Sequence, residues 1–200
     1  MSMQNTKDQI TQIRWHGRGG QGAITAAKIV AEAAFRSGYG GAVMAPTFGT
    51  ERRGAPVTTS LKIAHNKIYD LSPITTPDIV VVLDYMILYE VDVTAGLKPG
   101  GWIILNSPLT VEKHLFPGYR TAVANATRLG VEAGLSKGIV NTGIIGAFGR
   151  ASGLVDIDIL SEAIAAEFAG RKPEQNALAA RLVYDATVMR DNTTGESTDA

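Results

Sequence analysis

Gly17, Gly19 and Gly22 fall in the order G-x-G-x-x-G within the run Gly17-Arg18-Gly19-Gly20-Gln21-Gly22. Glycines at this spacing permit a tight turn and let a backbone approach a phosphate. A helix starting just behind them would offer free N–H groups and partial positive charge. Arg18 adds a mobile cation at the same place. Further on, Glu51-Arg52-Arg53-Gly54 concentrates charge in one loop. Two adjacent arginines suit phosphate, because each planar guanidinium can pair with it bidentately. Blander readings stay open beside these: a tight turn without a ligand, a solvated loop, or an interchain ion pair through Glu51.

Other chemistries find no residues. His16, His65 and His114 lack metal-ligand spacing. There is no G-x-S-x-G elbow and no P-loop lysine. The chain has no cysteine, which excludes disulfides, iron–sulfur ligation by this polypeptide and a thiolate nucleophile. No catalytic residue is identified. A nicotinamide site would want an acid about 20 residues past the glycines, at the end of the second strand. That strand ends in Ala45-Pro46-Thr47, so NAD is disfavoured. An NADP enzyme reading a 2′-phosphate through Arg52 or Arg53 remains an alternative, as does a purely structural subunit whose loop contacts a partner.

The elements that would position these residues are legible in outline. Ile10, Ile13 and Trp15 predict a strand running into the glycine loop, and Ala23 to Phe35 a helix behind it. Strands follow at Ala42–Ala45, at the alternating Val57–Ile63, at the β-branched run Ile79–Leu83, at Trp102–Leu105 and at Thr121–Ala124. Met86–Val93 reads as helix. Beyond Asn125 the periodicity predicts helices over Ala126–Gly134, Asn141–Ala151, Asp158–Phe168 and Glu174–Met189. The expectation is an α/β fold: a doubly wound, mostly parallel, Rossmann-like sheet with a helical C-terminal third.

Bulk composition agrees with one globular unit. Of 200 residues 45% are hydrophobic, enough for a core, and 19 basic residues balance 19 acidic ones. Net neutrality gives no general attraction to nucleic acid or an anionic membrane, and suits a surface covered by partners. No apolar run approaches a membrane span, and Met1 to Gln9 shows no secretory pattern, so a cytoplasmic location is expected. Residues 1–9 read as a polar leader, 10–190 as one domain, and Asp191 to Ala200 as a disordered, dispensable tail.

Several ordered segments carry a family resemblance. Ile13-Arg14-Trp15-His16 with the glycine run, Glu51-Arg52-Arg53-Gly54-Ala55-Pro56-Val57, Pro77-Asp78, Leu97-Lys98-Pro99-Gly100-Gly101, Asn141, Gly146-Ala147-Phe148 and Gly153-Leu154-Val155 resemble the gamma subunit of pyruvate:ferredoxin and related 2-oxoacid:acceptor oxidoreductases. The resemblance implies a multisubunit enzyme that converts a 2-oxoacid and coenzyme A to acyl-CoA and CO2 while reducing an acceptor such as ferredoxin. It implies thiamine diphosphate, Mg and Fe–S clusters on alpha, beta and delta-type partners, and a share in holding coenzyme A for this chain. Carried over residue by residue, that role falls on Gly17, Arg18, Gly19, Gly20, Gln21 and Gly22, and also on Arg52 and Arg53. Family members with a fused chain carry lysines where this one has the two arginines.

Overall fold

The computed structural model describes residues 9–46 and 53–194. Its centre is a seven-stranded sheet. In chain order the strands are β1 (Thr11–Arg18), β2 (Gly41–Pro46), β3 (Pro56–Ala64), β4 (Ile79–Val82), β5 (Trp102–Asn106), β6 (Arg120–Ala124) and β7 (Val188–Asp191). The helices are α1 (Ala23–Arg36), α2 (Ala126–Glu132), α3 (Asn141–Ser152), α4 (Ile157–Glu167) and α5 (Pro173–Ala186). The spatial order is β2-β3-β1-β4-β5-β6-β7. β1, β4, β5 and β6 run parallel, with an antiparallel hairpin β2–β3 at one edge and antiparallel β7 at the other.

Alternation along the strands divides the core in two. Ile13 and Trp15 on β1, Ile79 and Val81 on β4, Ile104 on β5 and Ala122 on β6 face all five helices. Val80, Val82, Ile103, Leu105 and Val123 face the other way, under Ile87, Val93, Leu97 and Val111 from two connections that carry no α-helix. α1 and α3 lie directly on the sheet, and α4 and α5 pack over them. α3 is therefore enclosed from both sides, and only its Arg150 is exposed. A helix apolar all round belongs in such a place.

Two expected helices differ. Met86–Val93 is not an α-helix. A 3-10 turn spans Tyr85–Tyr89, and Asp84 Oδ1 accepts from Met86 N at 3.0 Å. Asp92 Oδ1 likewise accepts from Thr94 N at 2.9 Å. These local side-chain bonds offer the backbone an alternative to the helical ladder.

The helix expected over Glu174–Met189 stops at Ala186, and Val188–Asp191 turns back as an edge strand on β6. The expected polar tail is thus partly structural, because Asp191 pairs with Arg120 while Gly118 N donates to Asn192 O at 2.9 Å. The rest of it, 195–200, lies outside the described residues. Truncation after Thr194 should leave the melting temperature unchanged. Truncation after Thr187 should cost about 1–3 kcal/mol, from lost ladder bonds and uncovered β6. Equal melting temperatures for the two truncations would show that β7 contributes nothing to the fold.

No described helix is long and apolar enough to cross a membrane.

Candidate functional site

The connections leaving β1 and β4 go to opposite faces of the sheet. α1 follows β1 on the helical face and leads to the β2–β3 edge, while residues 85–98 follow β4 on the other face and lead to β5. Such a divergence opens a crevice at the carboxyl ends of the two strands, where α/β sheets bind ligands. The glycine loop stands at this point.

Gly17 and Arg18 are still strand, paired with Val57 and Pro56 of β3. A Cβ on Gly17 would stand 3.3 Å from Ala23 Cβ, so the residue allows the strand-to-helix turn to close tightly. Gln21 Oε1 accepts from Arg18 N at 2.8 Å and Gln21 N donates to Arg18 O at 2.9 Å, which folds the loop on itself. Gly22 ends it with φ 81°, a left-handed conformation that favours glycine, and heads α1. α1 has no side-chain cap and no acid in its first turn. Its leading N–H groups remain available to an anion.

The second charged segment comes to the same place. Gly19 N donates to Ala55 O at 2.9 Å, and Gly54 N donates to Gly19 O at 3.2 Å. Arg53 is exposed, with its Cγ 4.0 Å from where a Cβ on Gly20 would stand. Glu51 and Arg52 lie outside the described residues. The strand order brings the two segments together, because β3 returns antiparallel directly beside β1.

Arg18 is not the mobile cation that its place among the glycines suggests. Its Nε donates to Asp84 Oδ2 at 2.8 Å and its terminal nitrogens to Glu90 and to Gly54 O. Hydrogen bonds to Glu90 and then Asp84 raise the pKa of the guanidinium above its ordinary value, and the same bond from Arg18 lowers that of Glu90. The clasp ties the end of β1 to the segment that follows β4. Asp84 and Glu90 were missed as site residues. Asp84 follows an apolar strand run directly, a position that marks a carboxyl-edge residue. Glu90 carries no local signal, since Arg18 lies 72 residues away in the chain.

Two clefts flank the loop on the helical side and share Gln21 and Gly138. One, of about 590 Å³, lies at the ends of β4, β5 and β6 and carries Arg128 and Lys137 at its wall. The other, of about 310 Å³, opens at the N-terminus of α1 and includes Asn141 and Arg171.

The histidines have structural surroundings. His16 is buried and accepts from Arg14 Nε at 3.0 Å; burial, and then the charge of Arg14, push its pKa down to about 4. Arg14 itself donates to Val93 O and Ala95 O, which ties the 85–98 connection to β1. His65 stacks on Tyr39 with ring centroids 4.4 Å apart, and His114 bonds Ser107 Oγ at 2.8 Å. No metal-binding cluster occurs among the described residues.

A family model for pyruvate ferredoxin/flavodoxin oxidoreductase matches residues 12–186. The chain belongs to this family. It is 47% identical over 183 residues to the pyruvate/ketoisovalerate oxidoreductases common subunit gamma of Thermococcus litoralis, covering 89% of this chain and 97% of that one. Pyruvate synthase subunit PorC of Methanocaldococcus jannaschii is 43% identical, covering 90% of this chain and 98% of the relative.

Among solved structures, the pyruvate oxidoreductase subunit PORC of Thermotoga maritima superposes with a TM-score of 0.78 at 29% identity, over 92% of this chain and 100% of that one. A 2-oxoglutarate:ferredoxin oxidoreductase of Magnetococcus marinus, solved with 2-oxoglutarate, coenzyme A and succinyl-CoA bound, has a TM-score of 0.71 at 19% identity. The match covers 92% of this chain and 32% of that one, and it is a likeness of fold. The family membership agrees with the sequence resemblance, and the mixed sheet with its parallel centre agrees with the α/β expectation.

Proposed function

We propose that this chain is the gamma subunit of a multisubunit 2-oxoacid oxidoreductase, and that it positions coenzyme A while partner subunits carry thiamine diphosphate, Mg and the Fe–S clusters. The observation that carries the coenzyme A role is the junction of the glycine loop with residues 53–55 at the uncapped start of α1. The diphosphate of coenzyme A meets backbone N–H groups and a helix dipole there, with Arg53 beside them and Arg52 next to it in sequence. The apolar walls of the 590 Å³ cleft, with Arg128 and Lys137 at its edge, suit the less charged parts of the molecule. The chain then supplies orientation and no proton chemistry. Without cysteine it has no thiolate for a cluster.

The relatives' names favour pyruvate or a branched-chain 2-oxoacid as the substrate class. Alpha, beta and delta-type partners and a ferredoxin-type acceptor belong to the same proposal. The alternative of an independent NADP enzyme is disfavoured by the strand order. Antiparallel β3 separates β1 from β2, whereas a dinucleotide fold sets its second strand parallel and adjacent to the first.

Affinity purification through a tag on this chain should bring down larger subunits together with iron and thiamine diphosphate. After dissociation the iron should leave with the partners. Stoichiometric iron retained by this chain, or its recovery alone from cells expressing the neighbouring genes, would refute the division of labour.

A further inference from the structure

The 310 Å³ cleft receives a second helix N-terminus that the glycine motif does not announce. α3 begins at Asn141, with Val140 as its cap residue, no side-chain cap and no acid in its first turn. α1 begins across the same cleft in the same condition. The two starts nearly touch: a Cβ on Gly22 would lie 2.8 Å from Asn141 Nδ2. Any side chain at position 22 would therefore fill the space between them.

The Asn141 side chain is the second observation. The residue is only 8% exposed, and its amide has no hydrogen-bond partner among the described residues. The amide bonds no described group and is open to the cleft, at the gap between two uncapped helices, so an acceptor entering there would meet a free donor. The charged groups at the cleft fit an anion. Arg171 lines the wall, and Glu167 is engaged by Lys28 Nζ at 2.8 Å. Helix dipoles directed at one point favour negative charge there.

We propose that Asn141 and the N-terminus of α3 complete, with the glycine loop and α1, a single oxyanion pocket for one phosphoryl group of a diphosphate ligand. Asn141 Nδ2 donates to a phosphoryl oxygen, the first-turn N–H groups of both helices surround it, and Arg171 supplies the nearby positive charge. The proposal rests on the coenzyme A reading only for the identity of the natural ligand. Inorganic pyrophosphate presents the same chemistry without it.

The test is calorimetric titration of the full chain with inorganic pyrophosphate, followed by competition with coenzyme A. Asn141→Asp keeps the shape of the side chain and places an acid in the first turn of α3, where the dipole favours it, so its melting temperature should hold or rise. It should nevertheless bind pyrophosphate at least about tenfold more weakly, since a donor becomes a like charge. Asn141→Leu and Arg171→Ala should each give a smaller loss, on the order of several-fold.

The proposal is overturned if the wild-type chain binds no pyrophosphate at millimolar concentration, or if Asn141→Asp binds it equally well. Asn141-dependent pyrophosphate binding that coenzyme A does not displace would uphold the pocket and remove coenzyme A from it.

Discussion

Gly146→Ala should be among the most damaging single-methyl changes this chain can receive. An added Cβ would stand 1.9 Å from Ala180 O and 2.8 Å from Ala180 C, both backbone atoms of α5. No rotamer change relieves such a contact, so α3 and α5 must separate. α3 is held against the sheet on its other side and has no room to retreat. Gly143 and Gly149 occupy the neighbouring turns of α3, but their added Cβ atoms would first meet side chains of α2 and α4, Ala126 Cβ at 3.1 Å and Leu160 Cδ1 at 2.7 Å. The close approach of the α3 and α5 backbones thus rests on Gly146.

Overpacking of this kind costs upward of about 3 kcal/mol, a large part of the stability of a typical domain. Gly38→Asn is the control. It has φ 89° with open space around it, and Asn tolerates that conformation, so it should cost less than about 1 kcal/mol. Urea unfolding of both variants reads the difference directly. A Gly146→Ala chain within about 1 kcal/mol of wild type would mean that the α3–α5 crossing is loose.

The sequence showed the parts of this molecule that depend on near neighbours. The glycine loop, the strand before it and the helix after it are all local, and the structure has them where the periodicity put them. The run Ile79–Leu83 read as a strand covered on both faces, and its residues do divide between the two cores. Pairing between distant segments was not legible. Nothing in Val57–Ile63 says that it lies antiparallel beside β1, though that placement brings Arg53 to the glycine loop. Val188 and Met189 continue a helical pattern until β6 captures them as an edge strand, a tertiary contact overriding a weak local preference.

The site shows the same division. Gly17 to Gly22 announce themselves by spacing, whereas Asp84, Glu90 and Asn141 take their meaning from where the sheet brings them. Asn141 was visible only as part of a family pattern, and its closeness to Gly22 is a property of the folded cleft. Arg18 shows the opposite error. Read as a mobile cation, it is fixed by Glu90 and Asp84 across the crevice.

The central claim, that the glycine loop positions coenzyme A by its phosphates, is tested most directly by two substitutions at Gly20 in the assembled enzyme. Gly20 has φ 93° and is exposed, and among the described residues only Arg53 Cγ comes near the position of an added Cβ, so a side chain there meets strain but no clash with them. Gly20→Asn and Gly20→Asp carry side chains of equal size, and Asn accepts the left-handed conformation readily. Only the second adds a negative charge, placed beside Arg53 and the start of α1. Charges a few ångströms apart near a protein surface interact by a few kcal/mol, enough for a change on the order of a hundredfold. The account predicts that Gly20→Asp raises the apparent KM for coenzyme A by about that factor, leaves the KM for the 2-oxoacid unchanged, and that Gly20→Asn stays within severalfold of wild type on both. Equal effects of the two substitutions, or a matching rise in the KM for the 2-oxoacid, would contradict it.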